Sequence, residues 1–130
     1  MAFYVDTSAA MKLVAAEVSS AAMLRWAKAH HEDLVSSDLL RIELLRAVRR
    51  GGHPDLERAR SVLDSLTLIT LPTSTFERAG GFEMEGLRSL DALHLASALE
   101  LGDELEGIVT YDQRLADAAR SFGLAIVAPR

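Results

Sequence analysis

Cysteine is absent from all 130 residues, which excludes disulfides, thiolate zinc sites and cysteine nucleophiles. Long apolar runs are missing too: none approaches the ~20 residues that a bilayer-spanning helix needs. The opening stretch Met1-Ala2-Phe3-Tyr4-Val5-Asp6 has neither a basic segment nor an apolar leader core, so the cytoplasm is expected and membrane contact is not. A basic excess is also lacking. The net charge of −5 argues against a broad electrostatic grip on nucleic acid. His30, His31, His53 and His94 show no i,i+4 pairing of the zinc-binding kind, and His94 reads as a packing or surface residue rather than a base. There is no Ser-His-Asp elbow and no phosphate-cradling glycine loop. The acid pair and lysine of a receiver-type phosphorylation site are missing as well. No linker, repeat or low-complexity stretch interrupts the chain.

What is present describes an ordinary globular protein, with 49% hydrophobic and 25% charged residues. One domain spanning residues 1–130 is expected, long enough to bury roughly two thirds of its unfolded surface. The acidic average hides a local reversal. Arg41, Arg46, Arg49, Arg50, Arg58 and Arg60 face only Glu43, Asp55 and Glu57 in that stretch. Arginine outnumbers lysine heavily along the chain, and its planar fork suits phosphate.

Hydrophobic periodicity predicts strands at 2–5, 34–36, 67–71, 107–110 and 124–127. Between them it predicts helices over 8–16, from Ser19 or Ser20 to about His30, over 39–50, from Pro54 to about Leu66, from about Ser74 through Phe82, over 91–101 and over 112–121. Thr7 or Ser8, Asp38 and Ser89 are expected caps, and Gly51-Gly52 an expected stop. Strands alternate with helices, and most strands are continuously apolar. This implies a three-layer α/β/α sandwich around a mostly parallel sheet. Ligands of such sheets bind beyond the carboxyl ends of the strands.

Four acids stand where charge is unwelcome. Asp6 ends the run Ala2-Phe3-Tyr4-Val5, and Asp112 follows Gly107-Ile108-Val109-Thr110-Tyr111. Glu43 sits inside the apolar arc of Leu39-Leu40-Arg41-Ile42-Glu43-Leu44-Leu45, and Asp91 opens Asp91-Ala92-Leu93-His94-Leu95-Ala96. Each has a plain structural explanation. Asp6 and Asp112 suit helix starts, Asp91 suits a positive helix end, and Glu43 suits an ion pair with Arg46 or Arg50. Together they describe an oxygen-only site for a hard cation such as Mg²⁺, and hence metal-assisted chemistry on phosphates.

The same segments resemble the PIN-domain nucleases, and most closely the VapC toxins of type II toxin–antitoxin pairs. Tyr4-Val5-Asp6-Thr7-Ser8-Ala9 is similar to the family's first strand and acid. The stretch 37–47 around Glu43 is similar to its glutamate helix. Leu90-Asp91-Ala92-Leu93-His94-Leu95-Ala96-Ser97-Ala98 resembles its third acid, and Val109-Thr110-Tyr111-Asp112-Gln113-Arg114-Leu115 its fourth. The resemblance implies a Mg²⁺-dependent endoribonuclease, with Mn²⁺ a possible substitute, that leaves 5′-phosphate and 3′-hydroxyl ends. Asp6, Glu43, Asp91 and Asp112 would hold the metal and carry catalysis. Ser8 and Thr110 fit the small hydroxyl positions beside the acids, and with Arg46, Arg50, Arg88 and Arg114 they are the expected substrate contacts. The implied partners are tRNA or rRNA, a VapB-type antitoxin and a second copy in a homodimer. Met11, Leu13, Val14, Met23 and Trp26 are candidates to line an antitoxin groove. An RNA-processing nuclease without antitoxin and a non-catalytic binding module remain the alternatives.

Overall fold

The computed structural model describes residues 1–51 and 55–130. The expected stop at Gly52, the helix start at Pro54, and His53 lie outside the described residues. Among the described residues, five strands form one sheet: β1 (Ala2–Val5), β2 (Leu34–Ser37), β3 (Thr67–Ile69), β4 (Leu105–Val109) and β5 (Ile126–Val127). Every pairing is parallel, in the order β3-β2-β1-β4-β5. The helices are α1 (Thr7–Val14), α2 (Ser20–Ala29), α3 (Leu39–Arg50), α4 (Leu56–Ser65), α5 (Thr73–Gly80), α6 (Ser89–Leu99) and α7 (Gln113–Ser121). None is long and apolar enough to cross a membrane.

The pleat sends neighbouring strand residues to opposite faces, so each apolar strand serves two cores. Val5 and Val109 pack with α1 to α4 through Ala9, Leu13, Met23, Leu40, Leu44 and Val62. Tyr4 and Ile108 face the other way, against Leu95 and Ala98 of α6 and Leu115 and Ala119 of α7. The expected three-layer α/β/α sandwich is what the chain forms.

Several boundaries differ from expectation for local reasons. α1 is capped by Asp6 itself, whose carboxylate accepts the Ala9 N–H at 2.9 Å. Ser19 has φ 73° and caps nothing, while the Ser20 hydroxyl donates to the Ala15 carbonyl and accepts the Glu17 N–H. Asp38 and Ser89 make no side-chain cap; Ser89 is already the first residue of α6, which places Asp91 in its first turn. β3 stops at Ile69 rather than Leu71 because its partner β2 ends at Ser37, opposite Ile69.

The strand order fixes where a ligand belongs. The chain lays β2 and β3 on one side of β1, then returns to place β4 and β5 on the other. The β1–β4 boundary is therefore the point where the winding reverses, and the crevice beyond its carboxyl ends is the usual ligand position of an open α/β sheet. Asp6 follows β1 directly, and Thr110 directly follows β4.

Candidate active site

Asp6 is almost fully buried at that crevice, and the fold builds a cradle for it. Oδ1 accepts from the Ser8 hydroxyl at 2.7 Å and the Ala9 N–H at 2.9 Å, while Oδ2 accepts from the Thr110 hydroxyl at 2.6 Å. Thr110 Oγ1 in turn accepts the Asp112 N–H at 3.0 Å, and Ser8 Oγ accepts the Tyr111 N–H at 2.8 Å. The loop after β4 is thus tied to the first turn of α1 through Asp6. Burial nevertheless pushes its carboxyl above the ordinary range, against the Thr110 bond, the His94 charge and the remaining bonds.

This cradle revises the expectation for two residues. Ser8 and Thr110 were expected to contact substrate, but their hydroxyls are bonded to Asp6, and Thr110 is fully buried. They hold the acid in place.

Asp112 caps α7, its Oδ1 accepting the Arg114 N–H at 2.9 Å. Asp91, partly buried on α6, has its carboxyl pushed up first by burial and then by the Asp112 charge. Those two acids therefore repel each other across the crevice, with the Arg88 backbone, His94 and Arg114 offsetting only part of the effect.

Glu43 has a partner that the sequence did not suggest. Its Oε1 accepts from the Thr7 hydroxyl at 2.7 Å and from His94 Nε2 at 2.5 Å. The expected ion pair with Arg46 or Arg50 is replaced by one with His94, and Arg50 contributes only a longer-range attraction. His94 is 3% exposed, so it is no surface residue. Its Nδ1 lies 2.8 Å from the Tyr4 hydroxyl, which donates its proton to Ser37 Oγ at 3.0 Å. Burial alone would push the imidazole down, but Tyr4 and Glu43 outweigh it and raise its pKa to about 10. Burial would likewise raise Glu43, but the His94 and Thr7 bonds bring it below the ordinary value. Both shifts favour an imidazolium paired with a carboxylate.

Arg46, Arg50, Arg88 and Arg114 are all exposed, and among the described residues none of them forms an ion pair. Arg46 and Arg50 line a cavity of about 270 Å³ with Thr7, Leu39, Ile42, Glu43 and Leu90.

The sequence matches the family model for the PIN domain over residues 3–121. The chain belongs to the PIN-domain family. It is 40% identical over 128 residues to ribonuclease VapC46 of Mycobacterium tuberculosis, with 98% of each chain covered. Ribonuclease VapC47 of the same species is 40% identical over 130 residues, covering 97% of this chain and 96% of that one. The fold is also that of the crystal structure of Mycobacterium tuberculosis VapC20, a sarcin-ricin loop cleaving toxin. The TM-score is 0.79 at 15% identity, with 98% of this chain and 100% of that chain covered.

The donor chemistry of this PIN domain suits a hard divalent cation. Asp6, Asp91 and Asp112 offer oxygen alone, and burial raises the Asp6 and Asp91 carboxyls, so a bound cation would favour their ionised forms. The four acids do not form a single ligand cluster as they stand: among the described residues, no three acidic or imidazole side chains converge to metal-holding distance. Glu43 is drawn toward His94, while Asp6 and Asp112 are drawn toward the helix starts they cap.

A second concave feature lies elsewhere in the domain. A cleft of about 550 Å³ runs between α1, α2 and α4, lined by Leu13, Leu24, Ala27, Leu34 and Val62 with Lys28 and Arg58 among its polar residues. Of the residues expected in such a groove, Leu13 lines it. Met23 and Val14 are buried in the core, and Met11 and Trp26 pack partly against it.

Proposed function

We propose that this chain is a Mg²⁺-dependent endoribonuclease acting as the toxin of a VapBC-type pair. One observation carries the reading: a buried aspartate directly follows β1 at the switch point of a PIN domain that is 40% identical, end to end, to ribonucleases of the VapC group. Asp6, Asp91 and Asp112, with the second oxygen of Glu43, would hold the ion. When bound, such a cation supplies an activated water and neutralises charge developing on the phosphate.

The protein's own part is positioning. Thr110, Ser8 and the Ala9 amide fix the Asp6 carboxylate on the rigid ends of β1 and β4. Arg46, Arg50, Arg88 and Arg114 are exposed and make no ion pair among the described residues, so their guanidinium groups can take RNA phosphates without reading sequence. Water adds to phosphorus and the 3′ oxygen departs with a proton, which leaves 5′-phosphate and 3′-hydroxyl ends. Structured RNA, tRNA or rRNA, is the proposed substrate, and the cytoplasm the proposed compartment.

The partner reading rests on the cleft between α1, α2 and α4. It has the apolar floor and charged surroundings suited to an amphipathic helix of a VapB-type antitoxin. The homodimer remains part of the proposal, supported by the exposed apolar side chains Ile42, Phe76 and Leu90. The module without catalysis also draws on a specific observation, since Asp6 and Asp112 do cap helices. Capping alone does not account for an aspartate buried at a raised pKa.

The deciding experiment incubates the purified protein with tRNA and rRNA in Mg²⁺, in Mn²⁺ and in EDTA, and sequences the new 5′ ends. Cleavage is expected in either metal and in neither EDTA nor the Asp91→Asn variant. Full activity in EDTA would overturn the metal reading. Calorimetry showing no Mg²⁺ binding by the wild type would favour the non-catalytic module.

A further inference from the structure

We propose that His94 is a positioning residue of the active site, clamping one oxygen of Glu43 so that the other stays turned toward the acidic crevice. The inference rests on the ribonuclease reading above and adds to it a residue outside the four acids. Its basis is hydrogen-bond bookkeeping. Tyr4 has one hydroxyl proton and gives it to Ser37 Oγ, so its oxygen must accept from His94 Nδ1. Nε2 faces Glu43 Oε1, and a carboxylate oxygen can only accept, so Nε2 must carry a proton as well and donate it to Oε1, which also accepts from the Thr7 hydroxyl. Both donors fall on the same oxygen, and among the described residues nothing bonds Oε2.

The anchors of this clamp are rigid. Tyr4 and Ser37 sit fully buried on β1 and β2, and His94 is held on α6 with its ring edge-on to Tyr4 at 5.7 Å between centroids. A glutamate side chain left to itself samples many rotamers, whereas this one is referenced through Tyr4 to β1, the strand that Asp6 directly follows. Asp91 has no comparable side-chain clamp among the described residues, and of the four acids His94 hydrogen-bonds Glu43 alone among them. Here a second donor, Thr7, reinforces the choice of oxygen.

The test separates positioning from stability. His94→Leu removes the clamp, and Mg²⁺ affinity measured by calorimetry should fall by about 10–100-fold, as expected for losing a group that orients a metal ligand. On a short RNA oligonucleotide kcat should fall with KM little changed. His94→Gln keeps one N–H donor and should restore most of both. In a Glu43→Gln background, His94→Leu should cause no further loss of Mg²⁺ affinity, although it still lowers the melting temperature. If His94→Leu fails to fold, Tyr4→Phe removes the acceptor of Nδ1 and should give a smaller loss of the same kind.

A ¹H–¹⁵N spectrum of the metal-free protein gives a readout that needs no activity. It should show a far-downfield His94 Nε2–H that disappears in Glu43→Gln. Wild-type Mg²⁺ affinity and kcat in His94→Leu or Tyr4→Phe, or losses that add to those of Glu43→Gln, would overturn the positioning role. A wild-type protein that neither binds Mg²⁺ nor cleaves RNA would instead overturn the ribonuclease reading beneath it.

Discussion

At the scale of single residues, Asp6 and His94 are both buried and both shifted upward, yet the two shifts act on stability with opposite sign. Asp6 is an acid with a raised folded pKa, so the folded state holds its proton more tightly and ionisation weakens the fold at neutral pH. Asp6→Asn should therefore melt above the wild type in EDTA at pH 7, with the gain shrinking toward pH 4 as the wild-type acid protonates. The same variant should lose RNA cleavage by about 10²–10³-fold or more, because a charge placed for the reaction is gone. A lower melting point in EDTA, or retained cleavage, would contradict the assigned role. His94 is a base with a folded pKa raised to about 10. Its stabilisation is complete below the ordinary histidine value of about 6.5, declines above it, and is gone once pH passes about 10. Glu43, with a lowered pKa, contributes above the ordinary carboxylate value and loses its part as pH falls through the folded one. His94→Gln should thus be less stable than the wild type near pH 6, by up to about 3–5 kcal/mol for a broken buried pair. Denaturant melts from pH 6 to 10 should show that difference closing. A gap that stays constant would mean His94 is not charged in the folded state.

At the scale of elements, α3 carries both the clamped Glu43 and the arginines that flank it. Arg46 and Arg50 line the cavity beside Glu43 and make no ion pair among the described residues, so their charges are free for phosphate. Arg46→Ala or Arg50→Ala should each weaken RNA binding, reduce the slope of log K against log salt by about one unit, and leave Mg²⁺ affinity unchanged. Binding titrations at several salt concentrations measure this, and unchanged slopes would place the RNA on another face. The sequence made this helix easy to read: its apolar spacing and the following Gly51 gave Leu39–Arg50 with the bounds it has. The strands were legible for the same reason, since continuous apolar runs such as Gly107-Ile108-Val109 suit a sheet covered on both sides. The four acids were legible because charge interrupting apolar segments needs a reason. What escaped was pairing across long separations. Glu43 and His94 lie 51 residues apart, and Tyr4 and His94 lie 90 apart. A sign was nonetheless present in α6, where Ala92, Leu95, Ala96 and Ala98 leave a mid-helix histidine no solvent and so oblige it to find partners. Sequence alone assigns the Ser8 and Thr110 hydroxyls to substrate, because nothing local shows that β4 brings Thr110 onto Asp6.

At the scale of the whole molecule, the sheet separates two working regions. Asp6 and Asp112 stand beyond the carboxyl ends of β1 and β4, whereas the cleft between α1, α2 and α4 is lined by His31, Leu34 and Ser65, which lie at or just before the starts of β2 and β3. The cleft therefore opens at the opposite edge of the sheet from the acids. A partner helix docked there could be loosened without disturbing the acids proposed to act on RNA. Leu13 is the wrong place to test this, because it is 8% exposed and belongs to the core cluster, so a charge there would unfold the domain. Leu24 is the right place: it lines the cleft from α2 but is only partly buried against the core. Leu24→Glu buries a carboxylate against the apolar face of an incoming helix and removes a leucine contact. It should weaken the VapB-type partner by at least about 2 kcal/mol, roughly 30-fold in affinity, as central apolar contacts do. Without the partner, its RNA cleavage and Mg²⁺ affinity should equal those of the wild type. Titrating the antitoxin against both proteins while following RNA cleavage reads the two quantities together. Leu24→Glu should need a correspondingly higher antitoxin concentration for half inhibition. Equal inhibition of both proteins would move the antitoxin off this cleft, and a loss of cleavage in Leu24→Glu alone would show that the two edges are coupled.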